Sequence, residues 1–128
     1  MATKTITEQN FEDTTKQGIV LLDWWAAWCG PCRAFAPVFE AAAERHQDVV
    51  FGKIDTDAEQ SLAGEFSIRS IPTLMAFRDG ILIFSQAGSL PGPAVDELIG
   101  KIRSLDMEDV RRKVEEADQA EKKKAHPA

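Results

Sequence analysis

The chain reads GIVLLDWWAAWCGPC from Gly18 to Cys32. The first part of this stretch is a nearly continuous run of β-branched, aliphatic and aromatic residues, a pattern typical of a central strand buried on both faces. After the second cysteine, apolar residues recur at helical spacing: Ala34, Phe35, Val38, Phe39, Ala42 and Ala43. The sequence therefore predicts that Cys29 and Cys32 lie where a buried strand passes into a helix.

The positions of the two cysteines at this junction favour disulfide chemistry. Pro31 fits the first turn of a helix, because the N–H that proline lacks has no partner there. Cys29 is then expected at or just before the helix N-terminus, where free N–H groups and the helix dipole stabilise a thiolate, the nucleophile in disulfide exchange. Cys32, one turn further and less exposed, is expected to be the resolving thiol. Cysteines this close can close a disulfide with each other.

The alternative for a Cys-x-x-Cys pair is one half of a tetrahedral zinc site, which needs two more thiolates or imidazoles. The chain has two cysteines and two histidines, and His46 and His126 are 80 residues apart. A zinc site would therefore require two chains to share a centre, and we expect no bound metal.

The composition limits the class of protein. A chain of 128 residues, 44% hydrophobic and 28% charged, is typical of one folded domain with a sizeable core. Its formal net charge of -6 is the wrong sign for a phosphate backbone, so no nucleic-acid partner is expected. No stretch reaches the roughly 18 apolar residues of a membrane helix. The polar N-terminal segment lacks the pattern of a secretory signal, so we expect a cytoplasmic protein, in a compartment that keeps thiols reduced.

Several motifs together resemble the thioredoxin family. They are Trp28-Cys29-Gly30-Pro31-Cys32, the Asp-containing apolar strand before it, and Ile71-Pro72-Thr73 further along the chain. The resemblance covers about residues 3–104 and implies an α/β fold, the thioredoxin fold, with a central mixed β-sheet of about five strands flanked by about four helices. It also implies a protein-disulfide reductase that needs no cofactor of its own. Its Cys29–Cys32 couple would be re-reduced by a thioredoxin reductase, an NADPH-dependent flavoenzyme.

The resemblance assigns roles to three residues outside the cysteine pair. The residue matching Asp23 lies beneath the active-site disulfide and moves a proton for the resolving cysteine, and Lys53 matches the lysine that modulates it. A carboxylate in an apolar strand is costly unless it is neutral, hydrated or paired, and burial would raise its pKa. The alternative is that the strand surfaces locally and Asp23 is solvated. Pro72 matches a proline with a cis peptide bond that faces the cysteines.

The resemblance further implies an apolar surface that accepts partner proteins, made of Trp28, Gly30, Pro31, Ile71, Pro72 and Gly88. Ile71 would bind an extended substrate through main-chain groups, as in strand addition. Pro31 is similar to the residue of the reducing members, whereas oxidants and isomerases commonly have His there. The alternative function is a binding module that uses the apolar surface alone, but an adaptor has no physical need for a poised dithiol.

The periodicity outside this region predicts the remaining elements. Strands are expected at 3–6, 18–25, 49–54, 73–78 and 81–86, and helices at 8–16, 30–46, 58–66 and 93–104. We expect a thioredoxin domain at residues 1–104 and a charged extension at residues 105–128.

The extension carries an apolar stripe at helical spacing: Met107, Val110, Val114 and Ala117. Two interpretations are open. One is a solvated segment, helical or partly disordered, with a frayed end at Lys122–Lys124. The other is a helix that docks on its own domain or on a second copy. We expect a monomer, with a dimer through the extension as the alternative.

Overall fold

The structure is a computed structural model that describes residues 2–125. Its strands are β1 (Thr3–Thr5), β2 (Ile19–Trp25), β3 (Val50–Asp55), β4 (Thr73–Arg78) and β5 (Ile81–Ala87). Its helices are α1 (Phe11–Thr15), α2 (Gly30–Arg45), α3 (Gln60–Glu65), α4 (Gly92–Arg103) and α5 (Met107–Ala125). None of the described helices is long and apolar enough to cross a membrane.

The strands form one mixed sheet in the order β1-β3-β2-β4-β5. β3 runs parallel to β1 and β2, whereas β4 runs antiparallel to β2 and β5. β2 is therefore paired along both edges, and its residues from Val20 to Trp24 are all buried. The prediction of a central strand buried on both faces is confirmed.

The two faces of the sheet carry separate apolar clusters, because side chains alternate between faces along each strand. On one face, α2 and α4 contribute Phe35, Phe39, Val95 and Ile99, which pack with sheet residues that include Leu21, Phe51 and Leu74. On the other face, Phe11 of α1 and Leu62 of α3 pack with sheet residues that include Leu22, Trp24, Ile54 and Met75. The predicted arrangement, a mixed sheet between two helical layers, is confirmed.

Two helices are shorter than predicted, and a side-chain acceptor explains each case. The predicted helix at 8–16 covers Phe11–Thr15, because Asn10 Oδ1 accepts a hydrogen bond from Thr7 N at 2.8 Å and holds the preceding residues in a turn. The predicted helix at 58–66 covers Gln60–Glu65, because Asp55 Oδ1 accepts from Asp57 N at 2.9 Å. Asn and Asp side chains compete in this way with helical hydrogen bonding. The other boundaries agree with the prediction or differ from it by one residue.

The C-terminal extension forms α5, which continues through Ala125 and includes Lys122–Lys124, where one of the two interpretations had a frayed end. Met107 is buried, with 8% of its surface exposed, and Arg111 forms a 3.6 Å salt bridge with Asp79 in the β4–β5 turn. Val114, two turns further, stays 41% exposed. The first part of α5 therefore docks on its own domain, whereas the rest lies in solvent. His126, considered above as a zinc ligand, lies outside the described part of the chain.

The sheet contains one position where only a glycine fits. A Cβ added to Gly52 in β3 would lie 2.5 Å from Ile6 Cγ1 and 2.9 Å from Leu22 Cδ2. Gly52→Ala should lower the free energy of unfolding by about 1–3 kcal/mol, because overpacking a core forces neighbours to shift. Urea denaturation measures this loss. The matched control is Gly100→Ala, at an exposed site in α4 with open space around the new Cβ. Alanine there should stabilise the helix by up to about 1 kcal/mol, and equal midpoints for the two variants would contradict the packing argument.

Burial of Met107 makes α5 a stabilising part of the fold. Met107→Ala should cost about 2–3 kcal/mol of unfolding free energy, because truncating a buried methionine leaves a cavity. Val114→Ala, on the same helix and half exposed, should change stability by less than about 0.5 kcal/mol. Urea midpoints for the two variants compare them directly. A Met107→Ala variant as stable as Val114→Ala would show that α5 does not dock in solution.

Candidate active site

The two cysteines lie at the start of α2, as predicted. Cys29 is the N-cap residue, with extended backbone angles (φ -88°, ψ 112°), and Pro31 occupies the first turn. The pair is disulfide-bonded with a Cα–Cα distance of 5.2 Å, and Cys32 N donates a hydrogen bond of 3.2 Å to Cys29 Sγ. The free N–H groups at a helix start favour a negative charge. The sulfur of Cys29 is thus held where a thiolate would be stabilised once the disulfide is reduced.

Both sulfurs are shielded in this oxidised form. Cys29 is 5% and Cys32 3% exposed, so the expected difference in exposure between the two thiols is small here. Trp28 beside them is 68% exposed, and its indole Nε1 donates a 3.0 Å hydrogen bond to Asp57 Oδ2. A large aromatic side chain this exposed is typical of a contact surface rather than of packing.

The loop before β4 lies against the cysteine pair. The Ile71–Pro72 peptide bond is cis, and the carbonyl oxygen of Ile71 lies 3.7 Å from Cys29 Sγ. Gly88 N donates a 2.7 Å hydrogen bond to the carbonyl oxygen of Pro72, and Gly88 has a φ of +98°, which favours glycine. Gly88, 16 residues further along the chain, is thus brought to the loop of Ile71 and Pro72, and Ile71 in that loop lies next to Cys29.

The residues of the predicted apolar surface differ in their solvent exposure. Trp28, Gly30, Pro31 and Gly88 are exposed, Ile71 is half-buried, and Pro72 is buried. Pro72 therefore shapes the loop, and the exposed members supply the contact area.

Asp23 is a fully buried carboxylate within β2, so the alternative of a locally solvated strand is excluded. Neither of its oxygen atoms has a hydrogen-bond partner in the described structure. Burial raises the pKa of Asp23 from 3.8 to about 6, and the positive charge of Lys53 opposes this rise. Asp23 and Lys53 are direct register partners on the neighbouring strands β2 and β3.

Lys53 is half-buried and lies beside an aromatic ring as well as beside Asp23. Its Nζ is 5.2 Å from the centre of the Trp25 ring, within the range of a cation–π contact. Trp24, in contrast, is completely buried in the cluster below α1 and α3, so the two tryptophans of β2 have different surroundings.

Two residues that contact the active-site turn were not singled out from the sequence. Asp57 accepts the hydrogen bond of Trp28, although 29 residues separate the two. Arg33 Nη1 donates a 2.8 Å hydrogen bond to the carbonyl oxygen of Ala27, across the turn that contains the cysteines. The basic side chain directly after Cys32 was a visible signal for Arg33, whereas no local pattern points to Asp57.

Metal binding receives no support from the geometry. Within residues 2–125, no group of three or more His, Cys, Asp or Glu side chains is arranged to hold a metal ion. His46 bonds to Asp96 at 2.7 Å, in an ion-pair network between the ends of α2 and α4 that does not include the cysteines.

Comparison with known proteins identifies a matching family and several similar proteins. The family model named Thioredoxin matches residues 2–103. The chain is 50% identical to "Putative thioredoxin 2" of Streptomyces coelicolor, over 90% of this chain and 87% of that protein. It is 41% identical to a thioredoxin of Bacillus subtilis, over 79% of this chain and 98% of that protein.

The similarity extends to solved structures and, for one relative, to the extension. A mutant thioredoxin from Halobacterium salinarum superposes with a TM-score of 0.74 at 35% identity, covering 79% of this chain and 90% of that one. Because 90% of 128 residues is about 115, the Streptomyces match extends past residue 104 into the extension. The matched family model, the relatives and the paired cysteines agree: the chain belongs to the thioredoxin family and is a protein-disulfide reductase.

Proposed function

We propose that Cys29 is the attacking thiol and Cys32 the resolving thiol in the reduction of protein disulfides. The observation that carries this assignment is the position of Cys29 at the N-cap of α2, where its sulfur accepts the amide hydrogen of Cys32. The same hydrogen bond would stabilise a thiolate at Cys29, whereas Cys32 lies inside the first turn with its own amide already committed. The two thiols are therefore not equivalent.

The proposed reaction transfers two electrons and two protons. The Cys29 thiolate attacks one sulfur of the substrate disulfide, a mixed disulfide forms, and the other substrate sulfur leaves as a thiolate that takes up a proton. Cys32 then loses its proton and attacks Cys29 Sγ. This second step breaks the mixed disulfide, releases the remaining substrate thiolate, which is protonated, and leaves the Cys29–Cys32 disulfide.

Asp23 is proposed to accept the proton of Cys32, and Lys53 is proposed to modulate its charge. A general base works best when its pKa lies near the operating pH, and burial raises the pKa of Asp23 to about 6. An ordinary solvated aspartate would be a far weaker base at neutral pH. The unpaired oxygens of Asp23 support the same role, because no hydrogen bond within the described structure must break before a proton is taken up.

Substrate binding is proposed to use the surface made of Trp28, Gly30, Pro31, Ile71, Pro72 and Gly88. The exposed indole of Trp28 would cover apolar substrate side chains. The main-chain groups of Ile71 lie beside Cys29 and would pair with an extended substrate segment, in which the disulfide would face the attacking sulfur.

The partner that reduces the Cys29–Cys32 disulfide again is proposed to be a thioredoxin reductase, an NADPH-dependent flavoenzyme. The protein would then carry electrons within cell redox homeostasis, in the cytoplasm, where thiols are kept reduced. We place the redox domain at residues 1–104, since α4 ends at Arg103, and propose that the molecule is a monomer. The first turn of α5 already docks on its own domain, which accounts for part of the apolar stripe without a second copy.

The function is tested by removing each thiol. Cys29→Ser should abolish the reduction of insulin disulfides in the presence of dithiothreitol, because no nucleophile remains at the N-cap. Cys32→Ser should retain the first step and accumulate a mixed disulfide with the substrate. Mass spectrometry would detect it as a species with the combined mass of the protein and the attached substrate. Insulin reduction by Cys29→Ser at the rate of the parent would refute the proposal.

Asp23→Asn tests the buried carboxylate through pH. Because the folded-state pKa of Asp23 is raised above its unfolded value, the folded state binds the proton more tightly. Ionised Asp23 therefore lowers the free energy of unfolding. This penalty is absent below about pH 3.8, grows as the pH rises from there to about 6, and is complete at higher pH. The stability of Asp23→Asn relative to the parent should increase by about 2 kcal/mol between about pH 4.5 and pH 8, while the rate of insulin reduction falls.

Urea denaturation at both pH values measures this change. Asp118→Asn, which alters an exposed carboxylate on α5, is the matched control and should show no such trend. A stability difference for Asp23→Asn that is the same at both pH values would contradict the raised pKa, and an unchanged rate would contradict the role in proton transfer.

A further inference from the structure

A groove runs along the outer edge of the sheet, between β5 and α5. Its volume is about 360 Å³, and most of the side chains that line it are aliphatic, among them Ile81, Leu82, Ile83, Val110, Val114 and Ala117. Three of these residues are consecutive in β5, and successive side chains of a strand point to opposite faces of the sheet. The groove therefore follows the edge of the strand itself and not one face of the sheet.

The edge of β5 lacks the features that usually prevent another strand from pairing with it. β5 is the outermost strand, and within residues 2–125 it pairs only with β4. Its sequence, ILIFSQA, contains no charged residue and no proline, the residues with which proteins commonly block an exposed edge. Leu82 is 44% exposed, and Val114 on the other side of the groove is 41% exposed. Backbone groups and apolar side chains are thus available together, which fits an extended segment that adds a strand.

The charges of α5 give this groove a local excess of negative charge. From Val114 to Glu121 the helix carries four carboxylates and no basic residue. The ion pairs of the described structure include none of these carboxylates, whereas the three basic residues before Val114 are each paired with an aspartate. Asp118 lies one helical turn after Val114. Glu121 lies one turn after Ala117, so both carboxylates border the groove at its C-terminal end along α5. A basic segment would complement them, as it would complement the net charge of -6.

We propose that this groove is a docking site for an extended basic segment of a partner protein, which pairs through its main chain with the edge of β5. The apolar side chains of the segment occupy the groove, and its lysine or arginine side chains face Asp118 and Glu121. Main-chain hydrogen bonds and apolar contacts supply the affinity in this mode of binding, and the charges select the partner.

The docking site lies at the far end of the sheet from the cysteines. The groove borders the start of β5, where Ile81 pairs with Arg78, whereas Ala87 at the other end of β5 pairs with Thr73, next to the loop that contains Pro72. The seven residues of β5 span about 20 Å between these two ends. A partner in the groove therefore leaves the active site open, so the protein can act on disulfides while the partner stays bound.

Peptides of defined sequence test the charge and the apolar contact separately. The probe is a capped nonapeptide with two lysines at each end and with valine alternating with threonine between them. One control peptide has glutamates in place of the lysines. The other has threonines in place of the valines, which keeps the shape of the side chains but makes them polar. Each peptide is titrated into nitrogen-15-labelled protein, and the shifts of the backbone amide resonances give the location of binding and the dissociation constant.

The lysine peptide should cause its largest shifts in β5 and α5, and both control peptides should bind at least about tenfold more weakly. Leu82→Ser removes an exposed apolar side chain from the groove, and Ala117→Lys places a like charge in it. Each should weaken binding of the lysine peptide by about tenfold. Val50→Ser, at a similarly exposed apolar residue of β3, is the matched control and should leave binding unchanged. Urea midpoints show that the variants are folded under these conditions.

Several results would overturn the proposal. They are shifts confined to residues around Trp28, equal binding of the glutamate peptide, and unchanged binding by Leu82→Ser or by Ala117→Lys. A dimer mass for the protein alone, with shifts of the groove amides as its concentration rises, would show instead that a second copy occupies the groove.

The test is independent of the disulfide chemistry. With saturating lysine peptide, insulin reduction should proceed at the rate of the protein alone, because the peptide binds away from the cysteines. Inhibition would place the peptide at the active site and would contradict the docking site. None of these results affects the assignment of Cys29, which Cys29→Ser tests separately.

Discussion

Burial of β2 on both faces and along both edges is the constraint on which the rest of the molecule depends. β3 and β4 pair with its two sides, and separate apolar clusters cover its two faces. The chain leaves the sheet at the end of β2 and passes through residues 26–29 into α2. This exit places Cys29 at a helix N-terminus. The same burial takes Asp23 out of water, so that one strand both leads to Cys29 and creates the unusual carboxylate.

Features that depend on local sequence could be predicted, and those that depend on distant contacts could not. The apolar run of β2 and the first-turn position of Pro31 were sufficient to place the cysteines at a strand-to-helix junction. The short forms of α1 and α3 were not predicted, because Asn10 and Asp55 capture backbone N–H groups in turns. The bond between Trp28 and Asp57 and the salt bridge between Arg111 and Asp79 depend on how loops meet in space, which periodicity does not encode.

The electrostatics of the site combine opposing influences on two sulfurs that are three residues apart. The helix start, with its amide groups, favours negative charge at Cys29. Asp23, buried and unpaired, disfavours a further negative charge in the interior and gains from becoming neutral. A proton leaving Cys32 for Asp23 would therefore move negative charge from an interior carboxylate to the Cys32 sulfur in the first turn of α2. Burial of Asp23 favours that direction of transfer at the carboxylate end.

The short spacing of the cysteines also has a thermodynamic consequence. A cross-link stabilises a protein largely by reducing the conformational entropy of its unfolded chain, and the effect grows with the length of the loop that it closes. The loop here closes over a separation of three residues, so the bond restricts the unfolded chain very little. Oxidation and folding form a thermodynamic cycle. The difference in unfolding free energy between the oxidised and the reduced protein therefore equals the difference in the free energy of oxidation between the folded and the unfolded chain. Because the loop contributes little to this difference, the difference depends mainly on the local environment of the sulfurs. The domain can therefore change its oxidation state without a large change in its folding stability.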